Sequence, residues 1–243
     1  MASRKSPDTP FLGGPDPLET KRVESPFSFA AADKELNAAI LEAVNRMGGA
    51  GDDAEDDYQR ALAGLKERAE AAVDVIVGEY EALPDDGYLA RWSLVQLLSE
   101  LRSPVAVTAL NRIITSRIPA EKQKESHDSS TVTEEVIIRT TAVEGVVRLS
   151  ADGVEEARAV LLRHARNRVF SIRRACVQGL METGTDDDRK ELRALLKERG
   201  DERLLDIKRI DVREAPQAIG GRFVVHPDVK TEPPPHDLGG REG

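Results

Sequence analysis

The stretch Val169-Phe170-Ser171-Ile172-Arg173-Arg174-Ala175-Cys176-Val177-Gln178-Gly179-Leu180-Met181-Glu182-Thr183-Gly184 decides how this chain folds. Its apolar residues Cys176, Val177 and Leu180 fall at the three- and four-residue spacing of one helical face. Two other segments lie over its centre without gaps. Arg91-Trp92-Ser93-Leu94-Val95-Gln96-Leu97-Leu98, Arg139-Thr140-Thr141-Ala142-Val143-Glu144-Gly145-Val146 and Arg173-Arg174-Ala175-Cys176-Val177-Gln178-Gly179-Leu180 share one pattern. It reads Arg, two variable positions, a small or apolar residue, Val, Gln or Glu, then Gly or Leu, and an aliphatic.

The register extends outward into the neighbouring helices. Ile113-Ile114, Leu161-Leu162 and Leu195-Leu196 align as aliphatic pairs. Arg139 and Arg173 are 34 residues apart, whereas Arg91 and Arg139 are 48 apart. The excess of 14 matches one polar stretch, residues 119–132, PAEKQKESHDSSTV. A period of this length carried by helix pairs predicts a solenoid.

Around this repeat the spacing predicts helices over 32–47, 54–83, 88–101, 103–116, 134–149, 153–165, 169–183 and 186–199. Pro84-Asp85-Asp86-Gly87 stops the second. Residues 1–30 carry Pro7, Pro10, Pro15, Pro17 and Pro26 with few periodic hydrophobics and read as an extended or disordered arm. Residues 31–205 read as the solenoid, with the insertion at 119–132, and 206–243 as a mostly irregular tail. The only strand-like run is Arg222-Phe223-Val224-Val225, so the class is all-α.

Helical geometry of 100° per residue assigns the repeated side chains to faces. With Arg91, Arg139 and Arg173 at zero, the aliphatics of each segment cluster around the Arg itself. The three stems are therefore expected to lie on the core and to present guanidinium groups at the repeat joints, a structural ladder bonded to turn carbonyls or acids. The opposite face carries three rows: Trp92, Thr140 and Arg174; Gln96, Glu144 and Gln178; Glu100, Arg148 and Glu182. A solvated helix face accounts for such rows, but an exposed Trp92 beside them is where a partner would anchor.

The 243 residues are 40% hydrophobic, 33% charged and only 4% aromatic, with a formal net charge of −9, which disfavours nucleic acid as a first reading. No run approaches a membrane span and no secretory signal opens the chain, so a cytoplasmic setting without a membrane span is the expectation. Catalytic signatures are missing: His127, His164, His226 and His236 are scattered, and no phosphate loop or nucleophile elbow occurs. His164 ends a helix and is expected to cap it. Cys176 is read as a buried inert thiol. Acid pairs such as Asp52-Asp53 stand at helix starts, where carboxylates cap amides. No metal, no cofactor and no enzymatic activity are expected.

The segment VFSIRRACVQGLMETG, residues 169–184, resembles the second helix of a HEAT repeat, particularly the bacterial type named after phycobilisome lyases, and GVEEARAVLLRHARNR, residues 153–168, resembles the helix and turn before it. Asn167 stands where such turns usually carry Asp. The resemblance implies a short α-solenoid of HEAT-like pairs, a right-handed α–α superhelix, with second helices lining a concave surface. It therefore puts Trp92, Gln96, Thr140, Glu144, Arg148, Arg174 and Gln178 in a partner-binding groove.

The leading expectation is a non-catalytic interaction scaffold or assembly subunit that docks protein partners, as part of a larger complex, through this groove and its arms. Phe11, Leu12, Phe27 and Phe29 are the arm contacts, apolar islands of the kind that fold onto a partner. Two alternatives stand beside it. One is a tetrapyrrole (bilin) lyase-like modifying factor, suggested by the repeat subtype. The other is a helical-repeat nucleic-acid binder using Arg148, Arg174 and Trp92.

Overall fold

The computed structural model describes residues 26–29, 32–47, 49, 52–122 and 130–206. Nine α-helices occur among them and no strand does. They are α1 (Lys34–Arg46), α2 (Ala54–Lys66), α3 (Ala69–Ala82), α4 (Tyr88–Leu101), α5 (Ala106–Thr115), α6 (Thr131–Ala151), α7 (Glu155–His164), α8 (Phe170–Thr183) and α9 (Asp186–Arg199). The chain divides into two compact units, Met1–Leu192 and Arg193–Gly243. The second begins inside α9 and includes a short 3-10 turn at Glu202–Leu205.

The first unit is a short α-solenoid of HEAT-like helix pairs: α1 with α2, α3 with α4, α5 with α6, and α7 with α8. The second members pack side by side as one layer, α2, α4, α6, α8, and the first members as another, α1, α3, α5, α7. Between the layers lies an aliphatic core in which Ile40, Leu62, Ile76, Leu94, Leu98, Leu110, Val143, Leu161 and Leu180 are fully buried. Each burial of that kind contributes roughly 1.5–3 kcal/mol, so the core rather than helix propensity holds these elements.

Small residues set the spacing within the second layer. A Cβ on Gly145 would sit 2.5 Å from Ser99 Oγ, and a Cβ on Gly179 would fall inside the Val147 side chain. The helices also bond each other there: Ser99 Oγ donates to the Thr141 carbonyl at 3.2 Å, and Ser150 and Thr183 hydroxyls lie 2.7 Å apart. The glycine of the repeat pattern is thus a contact requirement, not a helix breaker.

Three element boundaries differ from the periodicity by more than two residues. The expected single helix over 54–83 is two, because Arg68 leaves the helical region at φ −124, ψ 32. The apolar stripes Tyr58/Leu62/Leu65 and Ala72/Val73/Ile76 serve different layers, and the chain must turn to bury both. No Gly or Pro marks the turn, so the period runs through it. Helix α5 starts at Ala106, after the Pro104 turn. Helix α6 starts at Thr131, not 134, capped by Ser130, whose side chain accepts from Thr133 N. The last residues of the expected insertion are therefore helical, while 123–129 lie outside the described residues. Glu121 closes its base by accepting from the Thr131 amide at 2.8 Å and from Ser130 Oγ.

Candidate functional site

The three repeated arginines sit where their helices meet the preceding turns. Arg173 donates to the Asn167 carbonyl at 2.7 Å, and Arg91 to the Asp85 carbonyl at 2.8 Å. Arg139 donates to the carbonyls of Ser116 and Arg117 at 3.3 and 3.1 Å, on the far side of the insertion. Rings lie under two of them: Tyr80 beneath Arg91 at 5.2 Å and Phe170 beneath Arg173 at 5.6 Å.

Sequence reasoning missed the acid that links two rungs. Glu135, 2% exposed, accepts from Arg91 at 2.5 Å and also pairs with Arg139. Burial alone would raise its carboxyl, but the Arg91 and Arg139 guanidinium groups outweigh that and hold it below the usual carboxylate value. Its position four residues before Arg139, one helical turn, was the available signal.

The groove rows lie on α4, α6 and α8. Trp92 is half-buried rather than exposed, since its indole N–H donates to Thr141 Oγ1 at 3.1 Å. Thr140 turns its hydroxyl back to the Val136 and Ile137 carbonyls of its own helix. Gln96 donates to Glu100 at 3.0 Å and Arg148 pairs with Glu100 at 3.2 Å. Tyr58 of α2 joins that cluster, its hydroxyl pushed up to about 12 by burial and then by the Glu100 charge. Glu144, Arg174 and Glu182 are exposed and Gln178 is half-buried. One end of the row is thus internally paired, and the other presents exposed charge.

At the N-terminal ends of α4 and α6 the surface changes character. Leu89 is 76% exposed and Ile137 43%, among the most exposed large apolar residues described. With Tyr88, Trp92, Asp86 and Glu134 they line a depression of about 390 Å³. A wider depression of about 890 Å³ opens at the α2–α3 and α4–α5 turns, where Lys66, Arg68 and Arg102 alternate with Glu67, Glu70 and Asp152, so neither sign of charge dominates.

Phe27 and Phe29 stack at 5.6 Å, and the amides of Ser28 and Phe29 each donate 2.7 Å to the buried Glu79 carboxylate of α3. Phe11, Leu12 and the strand-like run 222–225 lie outside the described residues. His164 does not cap its helix with its ring, but reaches Asn111 Oδ1 of α5 at 2.9 Å. Burial, then the Arg163 charge, keeps that imidazole below its ordinary pKa. Cys176 is fully buried, and burial pushes its thiol up. No helix among the described residues is long and apolar enough to cross a membrane.

No protein-family model and no curated protein matches the chain. Among solved structures it is similar to the complex of CpcE and CpcF of phycocyanin lyase from Nostoc sp. PCC7120, at 19% identity and a TM-score of 0.42, over 76% of this chain and 99% of that one. This finding stands against the expectation of no enzymatic activity: the solved complex is that of a phycocyanin lyase.

Proposed function

We propose that this chain binds a protein partner across the exposed face of α4, α6 and α8, with Trp92 as the anchor. The observation that carries the reading is the exposure of Leu89 and Ile137 around Trp92, at the end of a row that runs through Thr140 and Arg174. Aromatic and Arg side chains dominate binding energy where neighbouring apolar contacts exclude water. Trp92 also meets the requirement of rigidity, because its indole is held by Thr141. Co-purification from the source cells, followed by titration of the recovered partner against Trp92→Ala/Arg174→Ala, tests the idea. The double variant is expected to lose about 2 kcal/mol of binding, on the order of 30-fold. Unchanged affinity removes the groove from the interface.

A second reading takes its wording from the phycocyanin lyase complex: a factor acting in tetrapyrrole attachment, with the partner as the acceptor protein. Adding bilin with and without the partner and following the visible absorption tests it. A spectrum that is the sum of its components dismisses it.

A further inference from the structure

The depression at the head of α4 and α6 has a definite chemical character. Among the described residues its ionisable carboxyl groups are Asp86, in the turn before α4, and Glu134, in the first turn of α6; there neither has an ion-pair partner, and no described Lys or Arg lines the space. Its aromatic groups, Tyr88 and Trp92, stand one helical turn apart on α4. Leu89 and Ile137 form the apolar mouth.

A cation placed here meets two carboxylates and can lie against the rings, whose faces carry negative charge density. An anion meets repulsion from both sides. A purely apolar side chain would leave both carboxylates without a counter-charge beneath it.

We propose that this depression receives a Lys or Arg side chain of an extended partner segment whose flanking residues are apolar. The cationic head lies between Asp86 and Glu134 over Trp92 and Tyr88, and the flanking side chains cover Leu89 and Ile137. The inference deepens the partner-binding reading and rests on it, by assigning the chemistry of what docks at one end of the groove. The indole–Thr141 bond matters here: it fixes the ring before the partner arrives, so binding does not have to order it.

Trp92 is the single tryptophan of the chain, so its emission reports on this depression directly. The probes are three peptides, acetyl-Leu-Arg-Leu-Arg-Leu-amide, its Glu counterpart with Arg replaced by Glu, and a Ser counterpart with Leu replaced by Ser. The first is expected to change Trp92 emission saturably, and more weakly as salt rises. The Glu peptide is expected to leave the emission unchanged, and the Ser peptide to bind more weakly than the first. Asp86→Lys/Glu134→Lys is expected to weaken the first peptide about tenfold or more. Asp86→Asn/Glu134→Gln gives a smaller loss in the same direction, while Glu191→Lys, on α9, leaves binding intact. Circular dichroism establishes that each variant is folded.

Equal response to the Arg and Glu peptides, or affinity unchanged by charge reversal, overturns the inference. So does an emission change on Lys122→Glu/Lys124→Glu without peptide, which would make the chain's own insertion the occupant. A recovered partner that binds the Asp86→Lys/Glu134→Lys variant normally but fails on Trp92→Ala/Arg174→Ala would sink this inference and leave the groove reading standing. The reverse pattern would sink the groove reading and, with it, the placing of the cation over Trp92.

Discussion

Arg173 donates its guanidinium to the carbonyl of Asn167, six residues before it, and Arg91 does the same to Asp85 at the same separation. The joint recurs because α4 and α8 each follow a turn whose carbonyl needs a donor. Arg139 keeps the bond although the insertion has moved its acceptors to Ser116 and Arg117, more than twenty residues away in sequence.

Glu135 is the acid on which two of these rungs converge, so its loss leaves two buried guanidinium groups without their carboxylate. Glu135→Ala is expected to destabilise the protein by about 3–5 kcal/mol, the usual cost of breaking a buried ion pair. Urea denaturation measures it. Replacing Arg91, Glu135 and Arg139 together with Met, Leu and Met leaves no unpaired charge but removes the donors to the Asp85, Ser116 and Arg117 carbonyls, so it is expected to destabilise as well.

The close approach of α6 and α8 at Gly179 leaves no room for a branched side chain. Gly179→Val is expected to lower stability by roughly 1–3 kcal/mol through overpacking against Val147. At Gly64, where a Cβ would meet nothing within 4 Å, Gly64→Ala is expected to raise the melting temperature slightly.

His164 makes stability depend on pH. Its folded pKa lies below the ordinary 6.5, so the unfolded chain takes up the proton first as pH falls. The stability it lends is full above about pH 6.5 and drains as pH drops from there toward the folded value. His164→Gln, which keeps a polar group near Asn111, is expected to flatten that part of the pH profile in chemical denaturation.

The Glu79 carboxylate holds the segment at Ser28 and Phe29 by their amides. Glu79→Ala is expected to speed hydrogen exchange of those two amides about tenfold or more, with exchange in α4, α6 and α8 unchanged. Uniform acceleration throughout the unit would show instead that Glu79 supports the whole fold.

The face of each repeated helix was legible in the residues. Ile113, Ile114 and Leu161 recur with the period, and their burial follows from the helical angle that one apolar stripe must keep toward its neighbours. The same arithmetic located the insertion to within two residues of where α6 begins. Function is less legible: Leu89 and Ile137 carry no signal in the sequence, because a single apolar residue on a polar face says nothing until two helices bring two such residues together.

From the sequence alone came the all-helical class, the repeat and the placement of Arg91, Arg139 and Arg173 beside the core, because local spacing and period are properties of a single helix. Tertiary structure alone decided that Glu135 joins two rungs, that α2 and α3 are separate, that Trp92 leans on Thr141, and that Asp86 and Glu134 line one depression with Leu89 and Ile137. Those are relations between helices, and the distance between two helices is set by the small residues and buried volumes at their contact, which no periodicity within either helix encodes.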